Sequence, residues 1–292
     1  MHAVEALDTA AASALDKRCV EIPYVVHGQN PLPDPRPVRV VATREELNRL
    51  ERDGYLVRKG FLDAAGLARM RRGLDELMEN ERREGHFSIH TGGGFGGLFM
   101  RQLMDRHASF GEILEWEALH SIARAMLGPA VSIRDTITRI TWPGQPNQET
   151  VWHAHQQLIP EPLPPWFPFP HIVDALVYLD DLDEATGPLC VIPGSHTRLT
   201  EAPPRNSTAD LPGQVKLLVP AGSVVFVHGN LWHRAMPTRP DGRMRRLIIV
   251  GYAPPWKKGP PWRAQTPDGL VAKLGRAGDA ARRELLGLEG WH

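Results

Sequence analysis

Two histidine-containing stretches constrain this chain more than any other feature of its sequence. The first, Val151–Leu158, contains His153 and His155, and the second contains His233 far along the chain. Side chains two positions apart in a β-strand point to the same face, so a strand over the first stretch would bring its two imidazoles together. Neutral imidazoles that converge on one point are good ligands for a transition metal. The pattern therefore predicts a metal site made of His153, His155 and His233.

The composition argues against several classes of partner. The chain has 292 residues, in which 34 lysines and arginines balance 34 aspartates and glutamates, so no net charge favours nucleic acid or an anionic membrane. Its two cysteines, Cys19 and Cys190, suggest neither a disulfide framework nor a cysteine-based zinc site. The N-terminal residues lack the pattern of a signal peptide, and no apolar run approaches the length of a membrane span. We therefore expect a soluble, cytoplasmic protein with no nucleic-acid or membrane partner.

Helical signals dominate the first part of the chain. Thr43 to Glu46 form a capping box, a hydroxyl cap followed three residues later by a carboxylate, which predicts a helix to about Arg52. Asp63 is expected to cap a longer helix. A second capping box, Ser109–Glu112, predicts a helix that runs to Leu127.

From Val131 onward the pattern changes to about eight short strands separated by turn residues. The proline-rich residues 159–170 interrupt them and predict a stiff loop beside the histidines. Helices followed by short strands favour an α+β fold that is mainly β, a sandwich or small barrel with N-terminal helices packed on one sheet. We predict an irregular N-terminal arm over 1–42, a main domain over 43–255, and a C-terminal loop with a short helix over 256–292.

Arginines near the last strand suggest a second ligand. Three protein ligands on one face of an octahedral metal leave three positions open for oxygen and a chelating co-substrate, as in non-haem Fe(II) oxygenases. A 2-oxo acid would also need a cation for its distal carboxylate, and the planar fork of arginine suits that role. Arg243, Arg245 and Arg246 follow His233 at the entry to the last strand, where alternation puts Arg245 and Arg246 on opposite faces. The sequence leaves open which of them meets a co-substrate and which are solvated turn charges.

An ordered set of motifs resembles the phytanoyl-CoA dioxygenase family of Fe(II)/2-oxoglutarate oxygenases over roughly residues 45–255. The matching segments, in family order, are Glu51–Val57 with Phe61–Leu62, Trp152–His153, Thr186–His196, Gly222–Phe226 with Leu231–His233, and Arg245–Leu247. The resemblance implies a double-stranded β-helix core, Fe(II), 2-oxoglutarate and O2, and oxidation of a small molecule. It also implies that Arg245 binds 2-oxoglutarate.

The chain departs from the family at one ligand. Where the family has a His-x-Asp motif, this chain has His153, Ala154 and His155, so the carboxylate is missing. In a second register Gln157 would replace it, but Trp152 precedes His153 as in the family, and extra residues are cheapest in the following loop. Glu149 and Glu161 are the nearest acids that could supply a carboxylate from a loop.

Three functions are consistent with these residues. The first is a 2-oxoglutarate-dependent dioxygenase with three histidine ligands and Arg245 at the co-substrate. The second is a three-histidine iron dioxygenase that needs no 2-oxo acid. The third is a non-catalytic relative of the family that binds a ligand or partners another subunit, because the carboxylate ligand is absent. The sequence identifies neither the substrate nor the oligomeric state.

Overall fold

A computed structural model of the chain describes residues 19–23, 25–26, 34–35, 37–92, 94–155, 171–257 and 269–288. The predicted proline-rich loop lies outside these ranges, and so do Gln157 and Glu161. Within them, no helix has both the length and the apolar character that crossing a membrane requires.

The described helices precede and follow a β-rich centre. In chain order, α1 to α6 are Arg44–Asp53, Ala64–Arg83, Leu103–Arg106, Glu117–Leu127, Leu270–Ala277 and Ala280–Leu285. Two 3₁₀ helices accompany them, Ala108–Glu115 and Ser195–Thr197.

Most of the described strands belong to two antiparallel sheets. In chain order, β1 to β14 are Cys19–Ile22, Val25–Val26, Asp34–Pro35, Val38–Val41, Tyr55–Arg58, Ile89–His90, Gly97–Arg101, Ser132–Thr141, Val173–Tyr178, Leu189–Val191, Val215–Leu217, Val224–His228, His233–Ala235 and Arg245–Ala253. The large sheet has the order β5-β12-β9-β14-β8-β7-β6, and the small sheet has the order β11-β10-β13. A bridge between His153 and His233 extends the small sheet.

Alternation along the large sheet divides the core in two. On β14, Ile248 and Val250 join a cluster with the helices, whereas Leu247 joins a cluster with Leu189 and Val191 of the small sheet. Strand side chains alternate between faces, so one face of the large sheet packs on helices and the other faces the small sheet. The result is the predicted α+β architecture, a double-stranded β-helix with helices on one sheet.

Several predicted elements are confirmed at their ends. Both halves of the capping box at Thr43 form, and the side chain of Asp63 accepts the backbone N–H of Gly66 at the start of α2. The N-terminal arm, predicted to be irregular, contains paired strands in its described part, since β1 pairs antiparallel with β4. The division of the chain at residues 42 and 255 stays a prediction.

The predicted helix from Ser109 to Leu127 is wrong in its first half. Residues Ala108–Glu115 form a 3₁₀ helix, and α4 begins only after Trp116, whose ψ of 60° breaks the helical path. The Nδ1 of His107, not Ser109, receives a backbone N–H at the start of the 3₁₀ helix. Trp116 is buried edge-on against Phe61, with 5.3 Å between ring centroids. Packing of the aromatic ring therefore overrides local helix propensity here.

The predicted histidine strand is also irregular. Within its described part, 151–155, only His153 makes a strand-like bridge. The backbone N–H of Trp152 donates to Ser207 and its indole donates to Ala209, so this segment bonds to a loop instead of a continuous strand.

Replacement of Thr43 by alanine removes the hydroxyl that caps α1. We expect a loss of about 0.5–2 kcal/mol in the free energy of unfolding, because one backbone N–H at the helix start loses its acceptor. Urea denaturation followed by circular dichroism measures this loss, with Thr43→Ser as the control that keeps the hydroxyl. Equal stability of the alanine and serine variants would contradict the prediction.

Candidate metal centre

Three imidazoles converge between the two sheets. The ring centroids of His153 and His233 lie 4.2 Å apart, and those of His155 and His233 lie 4.5 Å apart. One ring nitrogen from each residue lies within 4.8 Å of the other two. The Nε2 atoms of His155 and His233 are separated by 3.1 Å. Two nitrogen ligands about 2.1 Å from one ion and at a right angle would lie about 3.0 Å apart, so this spacing suits a shared cation.

Each imidazole is held through its other nitrogen. His153 Nδ1 lies 2.8 Å from the carbonyl oxygen of Val151, and His233 Nδ1 lies 2.8 Å from that of Leu231. His155 Nδ1 lies 2.5 Å from a carboxylate oxygen of Asp174. A carbonyl or carboxylate oxygen accepts, so each Nδ1 carries a proton, and Nε2 is the nitrogen of each ring that is left to face a metal. This arrangement is typical of metal-binding histidines.

Burial keeps His153 and His233 neutral. Desolvation, followed by the neighbouring His155, lowers the pKa of His153 to about 3. Desolvation, followed by His153 and His155, holds the pKa of His233 well below its ordinary value. At neutral pH both rings are therefore uncharged and can donate a lone pair to a cation.

Asp174 is the carboxylate at this site, and it lies behind His155. It is fully buried on β9 and also accepts a hydrogen bond from Arg134 Nη2 at 3.1 Å. Burial alone would raise the pKa of Asp174, but the charge of Arg134 and the hydrogen bond from His155 outweigh it and hold that pKa well below its usual range. Asp174 is therefore ionised and supplies negative charge one hydrogen bond away from the imidazole.

A bulge in β8 brings Arg134 to this carboxylate. Gly251 of β14 pairs with Asp135, and the next residue, Tyr252, pairs with Ile133, so Arg134 is the extra residue of β8. A bulge of this kind redirects a side chain that alternation would have placed elsewhere. A Cβ on Gly251 would lie 2.8 Å from Asp174 Oδ1 and 2.9 Å from Arg134 Nε, so glycine leaves room for the ion pair.

The three imidazoles open into a cavity of about 230 Å³. Arg245 lines it and is buried, with one Nη1 donating to the carbonyl of Gly187. Its Nη2 is buried and has no hydrogen-bond partner within the described part of the chain. A buried unpaired guanidinium nitrogen indicates a missing acceptor, since such a group is costly to leave unsatisfied.

The other two predicted arginines point elsewhere. Arg246 pairs with Asp180 and Asp75, and Arg243 is exposed and pairs with Asp183. The expected alternation along β14 thus separates Arg245 from Arg246. Neither Arg243 nor Arg246 lines the histidine cavity.

Several residues that line this cavity were not predicted from the sequence. Arg139 and Tyr178 are buried and line it beside Arg245, and Phe95 and Phe99 form an aromatic wall. Arg139 occupies an inward-facing position of β8, and an arginine at such a position could have indicated a binding residue. Phe95 lies in a glycine-rich stretch and packs edge-on against His153, with 4.8 Å between ring centroids.

His196, His228 and Trp152 do not line the cavity. His196 Nε2 donates to the carbonyl of Glu51 in α1 at 2.9 Å. His228 packs beside it, with 4.9 Å between ring centroids. Trp152 belongs to a separate buried cluster with Trp232.

A family model described as Phytanoyl-CoA dioxygenase (PhyH) matches residues 50–247. The chain belongs to the phytanoyl-CoA dioxygenase family. The matched range contains His153, His155, His233 and Arg245. Family membership places this protein among the oxygenase-type oxidoreductases. A search of curated proteins found no match.

Solved structures share the fold of this family member. The non-heme α-ketoglutarate-dependent carbocyclase SnoK from nogalamycin biosynthesis has a TM-score of 0.60 and 20% identity, over 73% of this chain and 84% of SnoK. HygX from Streptomyces hygroscopicus, crystallised with nickel and 2-oxoglutarate, has a TM-score of 0.57 and 18% identity, over 73% and 88%. AviO1 from Streptomyces viridochromogenes Tue57 has a TM-score of 0.55 and 23% identity, over 74% and 97%. Identities this low show the fold alone.

Replacement of Gly251 by alanine tests the packing behind His155. The new methyl group would press on Asp174 and Arg134, and we expect a loss of about 1–3 kcal/mol in the free energy of unfolding. Gly92→Ala is the control, because a Cβ there meets nothing within 4 Å. Urea denaturation of the two variants measures the difference. If Gly251→Ala is as stable as the control, the packing around the ion pair of Asp174 and Arg134 tolerates an added methyl group.

Proposed function

We propose that this protein is a non-haem Fe(II)/2-oxoglutarate-dependent dioxygenase that oxidises a C–H bond of a small molecule. In this proposal His153, His155 and His233 hold the metal, and Arg245 binds the distal carboxylate of the co-substrate. Family membership supports the reaction class. HygX, crystallised with iron in one structure and with nickel and 2-oxoglutarate in another, supports the choice of metal and co-substrate.

One observation carries the proposal. Three imidazoles with Nδ1 held by acceptors present their Nε2 atoms to a cavity that also contains an unpaired, buried arginine nitrogen. The donor set fits iron, for which imidazole is a good ligand, and the unpaired guanidinium fits a carboxylate. Metal ligands and co-substrate cation thus face the same space.

His155 takes the position of the family's carboxylate ligand, and Asp174 stands behind it. We infer that Asp174 fixes the ring orientation and the tautomer of His155 and increases its basicity through the hydrogen bond. Arg134 balances the remaining charge of that carboxylate. In the family, a carboxylate ligand puts negative charge directly on the metal. Here that negative charge lies on Asp174, one hydrogen bond further from the metal.

The remaining residues of the cavity bind the co-substrate and exclude water from it. When bound, iron and 2-oxoglutarate supply the oxygen-dependent oxidation. Arg245 holds the far carboxylate and so fixes the direction of the co-substrate along the cavity. Leu176, Leu247 and Ile249 line the floor between the arginine and the histidines and limit the access of water.

The three-histidine set itself favours one alternative, a dioxygenase that binds its substrate directly at iron and uses no 2-oxo acid. In that case Arg245 would bind a substrate anion. A non-catalytic relative that binds a ligand is the other alternative. Metal analysis of the purified protein separates it, since a chain that stays metal-free after incubation with Fe(II) under anaerobic conditions cannot be either oxygenase.

Replacement of Arg245 by glutamine tests the co-substrate site. We expect 2-oxoglutarate affinity to fall about 10- to 100-fold, because a charge-assisted pair is lost, while metal content stays unchanged. Calorimetric titration of 2-oxoglutarate into the nickel-loaded protein measures the affinity. Arg243→Gln is the matched control, since that arginine is exposed and outside the cavity. An Arg245→Gln enzyme with full activity and no succinate production would favour the 2-oxo-acid-independent reaction.

Replacement of Asp174 by asparagine tests the support of His155. We expect metal affinity to fall about 10- to 100-fold, the usual effect of removing a carboxylate that orients a histidine ligand. A competition titration with a coloured chelator measures metal affinity, and thermal unfolding shows whether the variant is folded. Asp135→Asn is the control, because Asp135 is a buried carboxylate of the same sheet that pairs with Arg101. Equal metal affinity in the two variants would remove Asp174 from the metal site.

A further inference from the structure

The large sheet forms the floor of the cavity. The two buried arginines of this floor lie in neighbouring rows of side chains that cross β9, β14 and β8. Tyr178 of β9, Leu247 of β14 and Arg139 of β8 are direct neighbours in the ladders. Arg245 begins the next row, beside Thr141. Because these positions share one face, the two arginines point into the same space on adjacent strands.

Neither arginine has an acidic partner among the residues that the structure describes. No carboxylate among the described residues lies within ion-pair distance of Arg139 or Arg245, and Glu149 acts on Arg139 only at longer range. Burial, followed by the charge of Arg245, lowers the pKa of Arg139 to about 9, and burial lowers the pKa of Arg245 to about 10. Both remain charged at neutral pH, which is costly in a buried site unless an anion binds.

The charge of the cavity stays positive after the co-substrate is bound. Three neutral imidazoles leave the charge of a divalent metal uncompensated, and Asp174 is already paired with Arg134. The two carboxylates of 2-oxoglutarate can balance either the metal or the two arginines, but not both. This step rests on the proposed function.

Arg139 is placed to meet a second anion. Its Nε donates to the carbonyl of Gly96 at 2.8 Å and its Nη2 donates to that of Gln148, so the guanidinium is held in place. Its carbon Cζ lies 5.9 Å from the ring centroid of Phe99. Gly96 directly follows Phe95, whose ring meets His153. Arg139, Phe95 and Phe99 line the same cavity, and both the ring of Phe95 and the charge of Arg139 act on His153.

We propose that the primary substrate is a small carboxylic acid with an apolar body. Its carboxylate pairs with Arg139, and its apolar body lies against Phe95 and Phe99. Arg245, at the end of the floor, is left for the co-substrate. This arrangement gives each arginine one carboxylate and places the apolar part of the substrate beside the metal.

Binding of paired probes tests the substrate class. The nickel-loaded protein, saturated with 2-oxoglutarate, is titrated with benzoate, phenylacetate and cyclohexanecarboxylate, and with the primary amide of each. The same titrations are made on Arg139→Gln, Arg139→Lys and Arg245→Gln, with Arg243→Gln as control, and thermal unfolding checks that each variant is folded. Arg139→Lys is included because it keeps the positive charge, in case loss of the two carbonyl contacts makes Arg139→Gln unfold.

We expect at least one acid to bind about tenfold or more tightly than its amide, a difference that one charge-assisted pair can supply. Arg139→Gln should abolish that preference and leave 2-oxoglutarate affinity within about threefold, whereas Arg245→Gln should lower 2-oxoglutarate affinity. The proposal is overturned if no acid binds more tightly than its amide, or if the preference survives in Arg139→Gln. It is also overturned if Arg139→Gln loses as much 2-oxoglutarate affinity as Arg245→Gln, because Arg139 then belongs to the co-substrate site.

The same samples separate failure of this proposal from failure of the proposed function. If the wild-type protein binds neither metal nor 2-oxoglutarate, the dioxygenase assignment fails. The preference for acid over amide is then measured on the metal-free protein, where Arg139 is still present. If only the preference is missing, the dioxygenase assignment stands and the substrate class is wrong.

Discussion

The hydrogen bond from His155 to the buried carboxylate of Asp174 is the interaction on which the site depends. His153 and His233 are held by carbonyl oxygens of their own chain segments, which any imidazole in the same turn could use. His155 instead reaches across to the large sheet, and its partner is an ionised group that must itself be balanced. Arg134 provides that balance, and Gly251 provides the space for it. The position of this one imidazole therefore involves three further residues.

Much of the fold follows from local signals. The capping box at Thr43 and the cap at Asp63 begin helices where predicted, because those hydrogen bonds form within four residues of sequence. Alternation correctly separates Arg245 from Arg246, since a strand obeys it wherever the ladder is regular. The helix predicted from Ser109 fails because Trp116 takes its conformation from burial against Phe61, a residue that local propensity does not see.

The residues of the candidate site were likewise predictable only in part. The histidine pattern names the three imidazoles that the structure brings together, and their role as metal ligands stays a prediction. Arg134 could not have been found, because only the bulge in β8 redirects it to Asp174. Arg139 gave a readable signal, an arginine at an inward position of β8, but its lack of an acidic partner depends on contacts across several elements. The sequence thus predicts ligand residues better than the groups that support them.

The three proposed metal ligands come from both sides of the sandwich. His233 belongs to the small sheet and His153 bridges to it, whereas His155 is anchored to the large sheet through Asp174. An ion bound by all three would link the two sheets, so separation of the sheets would also require release of the ion. Metallation and unfolding would then be thermodynamically coupled, and the lifetime of the folded chain would depend on the supply of metal around it.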